Sequence, residues 1–154
     1  MTIMQAITQT QSVKPNQYDD EMMVNWLSEL DGMIYHEYIV WHEEPKQELE
    51  TEPEGEPEET EVEETPEPEQ KPEEEPEKHG FTPYDPEKDM DTVLIVPEPY
   101  SGVYIKYLCA QVDYYNGESS RYANSMIMFN MALSAFADWY NRTHMPKQDN
   151  YVQF

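Results

Sequence analysis

Cysteine, glycine and basic residues are scarce in this chain, and each shortage excludes a class of protein. The 154 residues include one Cys, so no disulfide forms within the chain and nothing in the sequence indicates secretion. The five Gly residues include no glycine-rich phosphate loop. Nine Lys and Arg residues face 33 Asp and Glu residues, which gives a net charge of -24. That balance argues against sequence-independent DNA binding, because such binding depends on basic contacts to phosphate.

Long apolar runs are also missing. No stretch approaches the roughly 20 apolar residues that a helix needs to span a bilayer. The first 14 residues have no charged start followed by an apolar core, as a signal peptide would have. We therefore expect neither a membrane partner nor a secretion signal.

Sequence motifs for metal binding or catalysis are also lacking. The four His residues lie outside any zinc-binding spacing: His36, His42, His79 and His144. Acidic residues alternate over 85–91 like the start of a calcium loop, but Met90 stands where that loop needs Gly and Val96 where it needs a closing Glu. Cys109 lies inside a predicted helix, where a buried, inert thiol is the expected state. We predict no enzymatic activity, no cofactor and no metal.

The negative charge is concentrated in one low-complexity tract, Glu43–Lys78. It holds 18 Glu and three Lys, a net charge of -15, which leaves -9 for the rest of the chain. Leu49 and Val62 are its only aliphatic residues. Because Pro blocks helix formation and like charges repel, the tract has little to offset the entropy of ordering. We predict a disordered acidic insertion over residues 43–80 of a single helical domain spanning 1–154.

Three stretches carry apolar residues at helical spacing, and we predict helices over Asp19–Val40, Pro99–Asn116 and Glu118–Thr143. Asp19 suits the N-cap of the first, because its carboxylate accepts hydrogen bonds from free amides of the first turn. Gly117 suits the break between the other two, because Gly adopts the left-handed conformation at little cost. The predicted fold class is all-α, a small bundle of three main helices with flexible termini.

The same spacing predicts which side chains these helices bury. The apolar stripes are Met23, Trp26, Leu27, Leu30, Met33 and Ile34; Tyr100, Tyr104, Tyr107, Leu108, Val112 and Tyr115; and Tyr122, Met126, Phe129, Leu133, Phe136 and Tyr140. The candidate core or subunit-interface residues among them are Trp26, Leu30, Tyr104, Tyr107, Tyr122, Phe129, Phe136 and Tyr140. On the first helix, the residues expected to face away from the core are Asn25, Ser28, Glu29 and Asp31.

The remaining segments connect or flank these helices. Met1–Pro15 lacks clear periodicity, and we expect a loose arm, with a short helix or an arm lying on a neighbouring subunit as alternatives. Thr92–Val96 is a short β-like run, expected to pass under the helices in an extended form. Pro97 and Pro99 are expected to open the second helix. In the tail Met145–Phe154, the apolar side chains predicted to dock on a partner are Tyr151, Val152 and Phe154.

Three groups of packing and turn residues share a resemblance to one protein family. They are Val13–Asn16 with Trp26–Gly32; Leu94–Tyr100 with Tyr104, Tyr107–Leu108 and Gln111–Glu118; and Arg121–Ser125 with Phe129–Asn130 and Trp139–His144. In these groups the chain resembles the head–tail connector (adaptor) proteins of tailed bacteriophages, which are small all-helical proteins. The acidic tract departs from the family pattern as an insertion between the first two helices.

The resemblance implies a structural virion protein that hydrolyses nothing. It implies a homo-oligomeric ring, commonly of twelve subunits, with the portal protein above and a stopper or tail-completion protein below. DNA would pass through without specific binding, and the protein would reside in the virion neck, or in the host cytoplasm during assembly.

Two functions of other classes stay open from the residues alone. One is an acidic interaction protein that acts on a basic partner through the Glu/Pro tract, and deleting Glu43–Lys78 would remove that activity. The other is a small helical enzyme or ligand-binding bundle, which would carry a bound cofactor or metal when purified.

Overall fold

The computed structural model describes residues 1–42 and 80–146, and these residues form an all-α fold without a β-strand. Its four α-helices are α1 (Ile3–Val13), α2 (Asp20–Glu37), α3 (Gly102–Tyr115) and α4 (Ser119–Thr143). A 3-10 helix over Ile39–Trp41 follows α2. The all-α prediction is confirmed, with four helices in place of the three predicted. Residues 43–79 of the predicted disordered insertion and the apolar tail residues Tyr151, Val152 and Phe154 lie outside the described residues.

Helix α1 replaces the predicted loose N-terminal arm and agrees with the alternative of a short helix. Thr2 caps it in a capping box: its side chain accepts a hydrogen bond from the amide of Gln5, whose side chain accepts in turn from the amide of Thr2. The buried residues follow the spacing of one helix face: Ile3, Ala6, Ile7 and Thr10. The Thr10 hydroxyl donates to the carbonyl of Ala6, so it is satisfied although buried. The arm is therefore part of the core.

Helix α2 follows its prediction closely at the start and less closely at the end. The Asp19 carboxylate accepts from the amide of Met22 at 2.9 Å, as expected of an N-cap. The α-helix ends at Glu37 and the chain tightens into the 3-10 turn, so it does not run on to Val40. Beside Gly32, the ring of Phe81 lies 3.2 Å from where a Cβ would stand, so this Gly admits a ring from the connecting segment.

Helix α3 begins at Gly102, three residues later than predicted. Residues 97–101 form turns instead, in which the amide of Tyr100 donates to the carbonyl of Pro97 at 2.9 Å. At the other end Gly117 has the positive φ of 72° expected from its place between two helices. Helix α4 then starts at Ser119, one residue after the predicted boundary.

Helix α3 lies at the centre of the described fold. It packs against α4 on one side and against α1 and α2 elsewhere, and within the described residues α4 has no close backbone approach to α1 or α2. The stretch around Val93 runs extended beside the start of α1, where the amide of Ile3 donates to the carbonyl of Thr92. Leu94 and Val96 are buried there, as the β-like run predicted.

Candidate functional site

The residues singled out from the sequence mostly serve packing. Five are buried in the hydrophobic core: Trp26, Leu30, Tyr104, Phe129 and Phe136. Tyr107 and Tyr140 are half-buried against it, and Tyr122 is half-buried with its ring centroid 5.4 Å from that of Tyr114. These side chains are spread along the fold and do not converge on one site.

Neither a metal site nor a membrane-spanning helix is found among the residues that the structure describes. Over residues 1–42 and 80–146, no group of three or more His, Cys, Asp or Glu side chains is arranged to hold a metal ion. Over the same residues, no helix combines the length and apolar character needed to cross a membrane.

The most deeply buried acidic group is Asp31 on α2, which was predicted to face solvent. Its carboxylate accepts hydrogen bonds from the hydroxyls of Tyr84 and Tyr104 and from the amide of Ile95. Ser28, also predicted to face away from the core, is buried and accepts from the amide of Tyr84 at 3.0 Å. We call this set the Asp31 network. It ties the connecting segment before α3 to the inner side of α2.

The protonation states of the Asp31 network follow from its burial. Burial raises the pKa of Asp31, and the hydrogen bonds from Tyr104, Tyr84 and Ile95 oppose that shift only in part. Burial and the nearby carboxylate raise the pKa values of Tyr84 and Tyr104 well above the ordinary range, so both hydroxyls stay neutral donors. Each hydroxyl already donates to the carboxylate. The network therefore serves structure.

A second buried carboxylate, Asp113 on α3, joins three helices. The ammonium of Lys14, after α1, forms an ion pair with it, and the hydroxyl of Ser125 on α4 donates to its other oxygen at 2.6 Å. Burial alone would raise the pKa of Asp113, but the hydrogen bonds from Lys14 and Ser125 outweigh burial and lower the pKa overall. The ion pair ties the end of α1 to α3, and the hydrogen bond from Ser125 ties the first half of α4 to α3.

The feature that does not serve the core is the outward side of α4. Ile127, Met128 and Met131 are 58%, 52% and 64% exposed. With the flanking Ser134 and Asp138, residues 127, 131, 134 and 138 follow steps of four, three and four, which places them on one side of the helix. We call this side the α4 outer face.

Charge is absent along most of this face. From Tyr122 to Ala137 the sequence contains no charged side chain, in a chain whose net charge is -24. The opposite side of α4 carries Phe129 and Phe136 into the core. Helix α4 therefore has two apolar sides, and its own domain covers one of them. The stripe predicted from the sequence was the inner one, although the outer residues show the same helical spacing.

A small cavity lies at the edge of the α4 outer face. Its volume is about 280 Å³, and its walls are Val13, Ile105, Lys106, Cys109, Asn124, Ser125 and Met128. Pockets for small molecules are typically about 300–1,000 Å³, so this cavity lies just below the lower limit of that range. Cys109 is half-buried here, less than predicted. Burial raises the pKa of its thiol, which disfavours the reactive thiolate.

Comparison of the chain with protein-family models, with curated proteins and with solved structures gives no match.

Proposed function

We propose that this chain is a structural subunit of a head–tail connector ring in a tailed bacteriophage. The ring would lie below the portal, above a stopper or tail-completion protein, and DNA would pass through it without being acted on. The observation that carries the proposal is the α4 outer face, a helix side that is exposed on a small helical domain, largely apolar, and uncharged as far as Asp138. Exposed apolar patches of this kind are typical of protein–protein contacts.

The residues that resemble the connector family support the proposal by their positions. Trp26–Gly32 lies within α2, Leu94–Tyr100 leads into α3, and Arg121–Ser125 opens α4. They are packing and connecting residues of one helical domain, as a structural ring protein requires. Aromatic and Met enrichment, which characterises subunit interfaces, is present in the chain with 12 Tyr and ten Met.

The charge distribution fits a protein that DNA passes without being held. The outward side of α2 exposes acidic side chains: Asp20, Glu21, Glu29 and Glu37. An acidic surface repels the phosphate backbone, whereas a basic channel lining would retain it.

The direct test is to mix the purified chain with its phage portal ring and to examine the mixture by mass photometry and electron microscopy. The proposal expects a ring of copies of this chain on one end of the portal. A chain that stays monomeric alone and does not bind the portal would contradict it. Binding of polylysine by that same monomer would favour the alternative of an acidic interaction protein.

The apolar tail residues Tyr151, Val152 and Phe154 remain the predicted contact with the portal or with an adjoining subunit. Burying such side chains contributes roughly 1.5–3 kcal/mol each before ordering costs, and a ring repeats that small surplus at each subunit. Deleting Asn150–Phe154 should weaken co-sedimentation with portal rings and leave the thermal unfolding of the domain unchanged. Undiminished co-sedimentation would refute the docking role, and a large loss of thermal stability would mean that the tail packs on its own domain.

A further inference from the structure

Helix α4 is attached to the domain by one side only, and its other side is apolar and exposed. Its backbone packs against α3, its side chains also contact Tyr38 and His42 after α2, and Phe129 and Phe136 are its two buried residues. We propose that the α4 outer face binds a second copy of this chain. This inference rests on the proposed function, because a ring of identical subunits needs such a contact, and it names the surface that makes it.

Charge favours a copy of this chain as the occupant. Two chains of net charge -24 repel each other wherever their acidic surfaces meet. Between Arg121 and Asp138, α4 offers sixteen consecutive residues without a charge. The outward side of α2, by contrast, exposes acidic groups along its length, Glu21, Glu29 and Glu37 among them. Like-charged copies can therefore approach each other closely at the α4 outer face, because its stretch from Ile127 to Ser134 carries no charge to be desolvated or to repel a second copy.

Other occupants fit this face less well. A basic partner gains nothing from an uncharged helix and would be drawn to the acidic side of α2. Helices that lie on membranes usually carry Lys and Arg around an apolar face, whereas α4 has only Arg121 and Arg142 in a strongly acidic chain. A second copy is thus the occupant that both the apolar character and the charge favour.

The area needed for a stable contact extends the surface beyond α4. A helix of 25 residues is about 37 Å long and about 10 Å wide, so one side offers roughly 370 Å². A stable interface needs about 800 Å² on each partner. Met128 lies both on the α4 outer face and in the wall of the small cavity, which continues the apolar surface toward Val13 and Ile105. We assign this cavity to an apolar side chain of the second copy.

The test places one negative charge on the proposed contact of the full-length chain. Met131→Asp should raise the dissociation constant for self-association by at least roughly 30-fold, the loss typical of a residue central to an interface. Met4→Asp is the matched control, because Met4 is 42% exposed on α1, away from α4. Sedimentation equilibrium measures association, and circular dichroism with urea unfolding checks that both variants fold. Self-association weakened by Met131→Asp and unchanged by Met4→Asp is the expected result.

A cross-link tests the contact between the α4 outer face and a second copy directly, without relying on a change in affinity. Replacing Met131 by p-benzoylphenylalanine and irradiating the assembled protein should give covalent dimers, with mass spectrometry locating the linked segment. If the wild type assembles on the portal but Met131→Asp assembles equally well and no dimer forms, the α4 contact is wrong and the connector function stands. If the wild type neither self-associates nor binds the portal, both are wrong. Co-sedimentation with phosphatidylglycerol vesicles in place of self-association would assign the face to lipid and overturn the proposal.

Discussion

Helices α2 and α4 distribute their side chains in opposite ways. Eight of the 18 residues of α2 are buried, and its outward side is acidic. Only Phe129 and Phe136 are buried among the 25 residues of α4, and its outward side is apolar. The longer helix is therefore the one that its own domain covers least.

This difference indicates that the exposed sides of α2 and α4 have different roles. The acidic side of α2 is well solvated as it stands, and its core face already uses most of the apolar residues of the helix. The outer face of α4 gains nothing in water, because apolar side chains are stabilised only when they leave it. We infer that α2 is a structural helix of the domain and that α4 serves both the domain and a partner.

The largest expected effect contrasts the two sides of α4. Phe136 is 1% exposed, and Phe136→Ala should lower the free energy of unfolding by about 3–5 kcal/mol, because it removes buried contacts and leaves a cavity. Met131→Ala, on the outer face, should change it by less than about 0.5 kcal/mol in the monomer. Urea unfolding of dilute protein measures both. Similar losses for the two variants would mean that the outer face packs within its own subunit.

The next effect contrasts the two sides of α2. Asp31→Asn should lower the free energy of unfolding by about 1–3 kcal/mol. The Asn side chain has an NH2 group in place of one carboxylate oxygen, so one of the hydroxyl or amide donors around it loses its acceptor. Glu29→Gln, two positions away and on the exposed side, should change the free energy of unfolding by less than about 0.5 kcal/mol. Urea unfolding at neutral pH compares them. An Asp31→Asn variant as stable as the wild type would contradict the role given to the Asp31 network.

The two buried carboxylates should respond to pH with opposite signs. The pKa of Asp113 is lowered from its ordinary value of 3.8 in the folded state. Its contribution to the stability of the fold is therefore present above pH 3.8 and is lost as the pH falls through the lower folded-state pKa. The pKa of Asp31 is raised in the folded state. Its contribution to the stability of the fold is therefore present below pH 3.8 and is lost as the pH rises through the higher folded-state pKa.

Unfolding midpoints measured across the acidic range can separate the two groups. The advantage of the wild type over Asp113→Asn should shrink as pH falls below about 4. Over the same series, the stability of the wild type relative to Asp31→Asn should decrease as pH rises from about 4 toward neutral. If both differences change with pH in the same direction, the assigned environments of these carboxylates are wrong.

The smallest effect concerns the charged start of α4. The Arg121 guanidinium lies 2.9 Å from the Glu118 carboxylate, three residues earlier, and both side chains are exposed. Exposed pairs of this kind contribute about 0.2–1 kcal/mol, because water and salt screen them. Arg121→Gln should therefore lower stability by less than about 1 kcal/mol and leave self-association unchanged. A strong effect on self-association would extend the partner contact beyond the uncharged part of α4.

Several local features were predictable from the sequence alone. Apolar spacing located α2, α3 and α4 within a few residues, and the Asp19 cap and the Gly117 break are where expected. Helix α1 was given only as an alternative to a loose arm, because Thr and Gln separate its apolar residues and its inner face includes Thr10, whose hydroxyl donates to the carbonyl of Ala6. The capping box from Thr2 to Gln5 was the available signal for its start.

The sequence by itself determined the helical class, the main helices and the separation of charge between the acidic tract and the rest. These depend on spacing, capping residues and composition, which act over a few residues along the chain. The tertiary structure alone decided which polar groups are buried. Asp31 lies inside because Tyr84 and Tyr104, 53 and 73 positions away, donate hydrogen bonds to it. It also decided that one apolar side of α4 stays exposed, because α3 packs along a single side of that helix and no other described helix approaches its backbone closely.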